Sequence, residues 1–369
     1  MKLILPAAAL LALAACTSKP TDGFVINGTV AGGTDGESVA ISYYVADSLI
    51  KDTVLIKDGK FSFEGTIPAY GAKGYITYGE PSEPYRGDNA ITVYFDRGET
   101  NVAIEKGKVP EGTVTGSRMQ EMENEYKSLI STIQEQRFNM TRDTPRYDEI
   151  QDSLLNEFRN AQITTTKKYA DSFWAYHLFA IVKDYFSIED CDYIYERMNP
   201  EIKALAGGVK IKESIEARRK LMPGMPAPIL KGEDPLREKM VSLEDLKGKY
   251  VLIDFWATWC KGCVLALPHI REVYDKYHDK GLEVMCVTSD YVKDKWVDYM
   301  RDHDMGVYYN IPGVITEDCK FGGEDDFVQT KLYNINGIPQ TYLIDPEGNI
   351  VAHLDGEKDI DAKLAEIFK

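Results

Sequence analysis

The sequence predicts three parts in series: an all-β, sandwich-like domain, a helical connecting segment, and an α/β domain at the C-terminus. Residues 24–116 alternate apolar and polar side chains with the period of half-buried strands. From Ser117 the apolar residues change to helical spacing. The run "MPGMPAPIL" at 222–230 then breaks that spacing, and strand and helix signals alternate after it. A chain of 369 residues, 44% of them apolar, has room for two or three domains and enough material for their cores. Its formal net charge of -16 creates a field that repels phosphate backbones, which argues against nucleic acid as a partner.

Residues 1–15 read as a signal peptide: Lys2 supplies an early positive charge, and the apolar run from Leu3 to Ala15 is too short for a permanent membrane span. The ending "LAAC" resembles the bacterial lipobox. That resemblance implies cleavage before Cys16, lipidation of Cys16 and attachment to the membrane through the lipid. Thr17, rather than Asp, follows the cysteine, which implies the outer membrane by the sorting rule of enteric-type bacteria. An ordinary secretory peptide is the alternative. Residues 16–23, with Pro20 and Gly23, would be a short tether. No later run is long and apolar enough to cross a membrane, so the remainder is expected outside the cytoplasm, on the periplasmic side or the surface of the outer membrane.

Strand signals in the β-rich domain, 24–116, are "FVINGTV", "VAISYYV", "DTVLI", "KFSFEGTI", "YITYG", "AITVYFD" and "TNVAIE", punctuated by Gly and Asp. In the helical segment, 117–221, Met119, Met122, Tyr126, Leu129 and Ile133 mark a buried stripe. Phe173, Trp174 and Tyr176 read as core on an amphipathic helix rather than as a ligand site, and His177 and Cys191 read the same way. In the last domain, 222–369, the order is strand ("YVLIDFW"), helix from Cys260 to about Lys280, strand ("LEVMCVTS"), helices near 293–303 and 328–334, strands "TYLID" and "IVAHL", and a terminal helix over 358–368. That order predicts a mixed sheet with helices on both faces.

With Cys16 assigned to lipid, Cys191, Cys260, Cys263, Cys286 and Cys319 remain, an odd number and no disulfide framework. Only Cys260 and Cys263 have motif spacing, and zinc would need a second close pair that the chain lacks. A strand ending at Trp256, a short turn and a helix start place the Cys260 sulfur where unpaired N–H groups and the helix dipole favour a thiolate. Lys261 adds a positive charge nearby. Cys263, one turn further on, is close enough to close a disulfide but more buried, which gives one attacking and one resolving sulfur. Cys286, in an apolar strand, reads as an inert buried thiol. Cys319 lies in a polar insertion whose acids disfavour its thiolate, and Asp325 and Asp326 there read as a solvated loop.

"DFWATWCKGC" resembles the thioredoxin active-site sequence and "GIPQTYLID" its cis-proline loop. The resemblance covers residues 222–369 and implies a thioredoxin fold, with thiol-disulfide exchange on protein substrates through a Cys260–Cys263 disulfide and no other cofactor. It also implies a cis Ile338–Pro339 bond beside that disulfide. Trp259, Lys261 and Ile338 are the expected substrate contacts. "GMPAPIL", "LKGKYVLIDFWATWC" and the insertion before "KLYNINGIP" are more similar to membrane-anchored, extracytoplasmic reductases such as those of cytochrome c maturation. Their electron donor or acceptor is a membrane partner, here unidentified.

In those reductases C-x-x-E-x-P places a glutamate three residues after the second cysteine; here Ala266 occupies that place, while Asp254 matches the buried aspartate of thioredoxin. Asp254 is therefore the candidate base for Cys263. The N-terminal "GKFSFEGTI", "YFDRGETNVAI" and "VTGSRMQEM" resemble the β-rich domain found ahead of thioredoxin-like modules in lipoproteins of Gram-negative anaerobes. Two other readings compete: a peroxiredoxin-like peroxidase, whose P-x-x-x-T/S-x-x-C signature is missing, and a non-enzymatic lipoprotein binding module that uses the β-rich domain and a thioredoxin-fold docking surface.

Overall fold

Why the N-terminal alternation yields two sheets is visible in where the alternate residues go. A computed structural model describes residues 22–45, 48–79, 89–323 and 327–369. The leader, Cys16, Asp325 and Asp326 lie outside the described residues. The chain forms two units, Met1–Val209 and Lys210–Lys369.

In the first unit, β1 (Gly23–Ala31), β2 (Ser38–Val45), β3 (Ser48–Leu55), β4 (Lys60–Thr66), β5 (Ala72–Tyr78), β6 (Ala90–Phe95), β7 (Gly98–Glu105) and β8 (Thr113–Thr115) make two four-stranded sheets, β4-β1-β7-β8 and β3-β2-β5-β6. Phe24, Ile26 and Phe63 from one sheet meet Val39, Ile41 and Phe95 from the other in a single core, as in a sandwich. The three residues of β8 had no strand signal in the sequence; they pair antiparallel with β7.

Helices α1 (Arg118–Asn139), α2 (Tyr147–Lys168), α3 (Phe173–Val182), α4 (Ile188–Arg197), α5 (Pro200–Lys203) and α6 (Ala206–Arg219) follow. Ser117 caps α1, its hydroxyl accepting the Gln120 N–H at 3.3 Å. Met119, Met122 and Tyr126 are buried as expected, but Leu129 is exposed and Ile130 takes the buried place, so the stripe stays in phase with a 3.6-residue turn. The expected aromatic core on α3 divides. Trp174 is buried, its indole N–H donating to Glu123 at 2.8 Å, whereas Tyr176 and His177 are only partly buried and line a cavity with Phe173. Cys191 is buried, as expected.

The second unit contains β9 (Lys231–Asp234), β10 (Lys239–Ser242), β11 (Tyr250–Trp256), α7 (Lys261–Tyr277), β12 (Leu282–Thr288), α8 (Lys293–Asp302), β13 (Tyr309–Pro312), β14 (Val314–Ile315), β15 (Phe327–Val328), β16 (Gln340–Ile344), β17 (Ile350–Leu354) and α9 (Glu357–Ile367). Its five-stranded sheet runs β13-β12-β11-β16-β17, with β11, β12 and β13 parallel and β16 and β17 antiparallel. Strand β13 and the β9–β10 hairpin were not expected; β13 ends at Pro312, which an edge strand tolerates.

Two other expectations fail. The three α-helices do not divide between the faces: α7, α8 and α9 all join Leu252, Trp256 and Leu343 in one core, while Tyr333 of the short helical segment expected near 328–334 lies on the other. The reason is topological, since β11, β12 and β13 step in one direction across the sheet and right-handed crossovers then put both connecting helices on the same side. The opposite face, Val251, Ile253 and Phe255, is covered by Leu221, Leu230, Leu243 and Tyr333. The helix expected near 328–334 is a single 3₁₀ segment, Gln329–Tyr333, stopped by Asn334 in the left-handed region (φ 50°). Its first residue is committed to tertiary bonds: Gln329 accepts the Lys231 N–H at 2.8 Å and donates to the Pro312 carbonyl at 2.7 Å.

Candidate active site

Strand β11 is buried along nearly its whole length, and its alternate residues separate two environments. Leu252 and Trp256 face the helical core, so Asp254 between them points to the side on which α7 carries Cys263. Across the sheet its register partners are Cys286 on β12 and Thr341 on β16. Asp254 is 5% exposed, and no donor among the described residues bonds its carboxyl. Burial alone pushes its pKa up to about 7. The same burial, followed by the neighbouring Asp254 charge, raises the Cys286 thiol and keeps it protonated.

After Trp256 the chain turns and α7 begins at Lys261, one residue later than the sequence suggests, because Cys260 is the N-cap. Its Sγ accepts the Cys263 N–H at 3.2 Å, the position from which a helix N-terminus stabilises negative charge. Cys260 and Cys263 are joined as a disulfide, S–S 2.15 Å and Cα–Cα 5.3 Å, with Cys260 8% exposed and Cys263 2%.

The Ile338–Pro339 bond is cis. The Ile338 carbonyl oxygen lies 3.7 Å from Cys260 Sγ, and a methyl added to Gly262 would lie 3.7 Å from Pro339 Cδ, so the proline loop sits against the dipeptide between the cysteines. Trp259 and Lys261 are exposed on either side of Cys260. Cysteines, proline loop, Trp259 and Lys261 are thus gathered at one end of the sheet. Ala266, a turn beyond Cys263, offers no carboxylate.

Sequence reasoning missed a clamp on this turn. Asp290, 4% exposed at the end of β12, accepts the Thr258 N–H at 3.0 Å and the Thr258 hydroxyl at 2.6 Å. It also accepts the Thr288 hydroxyl at 2.6 Å. These bonds tie the turn before Cys260 to the end of the adjacent parallel strand. The available signal was an acid directly after a parallel strand's carboxyl end, where open α/β sheets build their sites. Cys319, in the polar insertion, is half-buried. Among the described residues no group of three metal-binding side chains converges.

Residues 223–353 match the AhpC/TSA family, and residues 24–122 match a domain of unknown function, DUF4369. The chain is similar to the thiol-disulfide oxidoreductase ResA of Bacillus cereus, 31% identical over 38% of this chain and 74% of that one. It is likewise similar to ResA of Bacillus anthracis, 30% identical over the same shares of 38% and 74%. Among solved structures it resembles the thioredoxin domain of a thiol-disulfide oxidoreductase from Bacteroides vulgatus, 30% identical with TM-score 0.35, over 40% of this chain and 99% of that one. A thiol:disulfide interchange protein from Bacteroides sp. is also 30% identical with TM-score 0.35, over 41% and 93%. The C-terminal unit is a thioredoxin fold, and on the Bacillus cereus match the chain belongs to the thioredoxin-like thiol-disulfide oxidoreductases of the ResA type.

Proposed function

We propose that the chain is an extracytoplasmic reductase of protein disulfides that works through Cys260 and Cys263. The observation that carries this reading is the Cys260 sulfur at the α7 N-cap, accepting a backbone N–H and facing the Ile338 carbonyl. In the reduced enzyme the Cys260 thiolate attacks one sulfur of a substrate disulfide and expels the other as a thiolate, leaving a mixed disulfide. Cys263 then passes its proton to Asp254 and attacks Cys260 Sγ. The second substrate thiolate leaves, and the Cys260–Cys263 disulfide closes. The substrate gains two electrons and the enzyme loses two, to be restored by a dithiol donor at the membrane. Pro339 and Ile338 present backbone to the substrate chain, with Trp259 and Lys261 as its side-chain contacts. The leader and "LAAC" support a mature protein anchored through lipid on Cys16 in the outer membrane, on its periplasmic side or at its surface.

Reduction of insulin disulfides by dithiothreitol tests the chemistry. The wild type is expected to accelerate it, Cys260→Ser to return it to the uncatalysed rate, and Cys263→Ser to accumulate mixed disulfide with substrate. A wild type that does not accelerate the reaction leaves the binding-module reading. Consumption of peroxide in place of disulfide would favour the peroxidase.

A further inference from the structure

A second site lies in the first unit, between the outer face of β5 and the helices. Lys73 and Tyr75, two residues apart on β5, point to the same side of the sheet, opposite the sandwich core that takes Ala72 and Ile76. There they meet α3, with Phe173, Tyr176 and His177, and the first residues of α6, enclosing a cavity of about 350 Å³. That volume is in the range that accepts a small organic ligand.

The rings are ordered against one another. Tyr70 and Phe173 stand 4.8 Å apart between centroids, Phe173 stacks on Tyr176 at 5.4 Å, and His177 meets the edge of Phe173 at 4.6 Å. Gly207 lets α6 close one side: a methyl there would lie 2.1 Å from Tyr176 Oη.

The charge in this cavity has no ion-pair partner among the described residues. Lys73 Nζ lies 5.9 Å from the Tyr75 ring and 5.5 Å from the Tyr94 ring, and it makes no ion pair among the described residues. Glu123, whose charge it feels, is engaged by the Trp174 indole N–H at 2.8 Å and by Lys127 at 3.1 Å. Burial lowers the Lys73 pKa. Burial and then the Lys73 charge push His177 down to about 4, so the imidazole is neutral at neutral pH and leaves the ammonium as the cavity's cation.

We propose that this cavity binds a small organic anion, a flat apolar body carrying one carboxylate, with the body among the aromatic rings and the carboxylate on Lys73 Nζ. Rings without the lysine would take any flat apolar molecule; the ammonium, without an ion pair among the described residues, selects the anion. The site is independent of the thiol chemistry.

Calorimetric titration of the purified full chain with 2-naphthoate and with neutral 2-naphthamide decides the matter. The acid is expected to bind about tenfold or more tightly than the amide, as for a charged hydrogen bond in a partly desolvated site. Lys73→Met is expected to erase that preference while amide binding persists, which also reports an intact cavity. Gly207→Ala, whose methyl would clash with the Tyr176 hydroxyl at the cavity wall, is expected to weaken both ligands. Equal affinity for acid and amide in the wild type, absence of binding by either at millimolar concentration, undiminished naphthoate binding by Lys73→Met, or no effect of Gly207→Ala on either ligand would each overturn the proposal.

Discussion

Two buried carboxylates flank the cysteine turn and are treated in opposite ways. Asp290, at the end of β12, is consumed by the Thr258 N–H, the Thr258 hydroxyl and the Thr288 hydroxyl. Asp254, in the middle of β11, is as deeply buried but lies between Leu252 and Trp256 with no donor among the described residues. The first has its lone pairs satisfied by the chain it holds, so it suits a structural clamp. The second has been left with a proton affinity raised to about 7, which suits a group that gains and loses a proton at working pH. Burial by itself therefore does not say what an acid does; its donors do.

The largest expected effect of breaking this comparison is on stability at alkaline pH. Asp254 has a folded pKa raised above its unfolded value, so the folded state holds the extra proton. Stability from this group is full below about pH 4, declines as pH rises, and is lost above about pH 7. Asp254→Asn removes that penalty. In urea unfolding the variant is expected to match the wild type near pH 4 and to exceed it near pH 8 by on the order of a few kcal/mol. A difference that grows toward acid would reverse the sign and place a hidden partner on Asp254.

Asp290→Ala is expected to lose about 1–3 kcal/mol, because the Thr258 N–H is left without its acceptor. Hydrogen exchange at Thr258 should rise in the same variant. If stability and exchange both stay at wild-type values, the clamp carries nothing. The smallest effect is expected at Cys319, half-buried in the polar insertion: Cys319→Ser should change unfolding free energy by less than about 0.5 kcal/mol and leave insulin reduction unaltered. A slower reaction would bring a third sulfur into the chemistry.

What could be seen in the sequence follows the same division between local and assembled features. The strand alternation and the two cysteines ahead of a helix are short stretches whose periodicity or spacing carries their geometry, while the cis bond at Pro339 was legible through the resemblance of "GIPQTYLID" to the thioredoxin cis-proline loop. Asp254 could be singled out because the resemblance to thioredoxin matches it to that family's buried aspartate, and because it is a polar residue in the apolar run "VLIDFW". Asp290 was missed because its role depends on Thr258, 32 residues away on another turn. The single-face placement of α7, α8 and α9 depends on strand order, which periodicity does not encode. His177 was read as core with the aromatic cluster of an amphipathic helix, and its approach to Lys73, on a strand of the sandwich, makes it part of a cavity. The 3₁₀ segment at Gln329 likewise yields its helical pattern to bonds with Lys231 and Pro312.

The central claim is that Cys263 resolves the mixed disulfide held by Cys260 and that Asp254 takes its proton. Single-turnover resolution of that mixed disulfide, followed by quenched flow across pH 5 to 9, tests it most directly. The wild-type rate is expected to rise through about pH 7 as Asp254 loses its proton. The Asp254→Asn rate is expected to be lower by about ten- to a thousandfold and to lack that rise. Ala266→Glu, added to Asp254→Asn, should restore part of the rate by returning a carboxylate near Cys263. An Asp254→Asn variant that resolves at the wild-type rate with the wild-type pH profile would contradict the account and leave Asp254 as core alone.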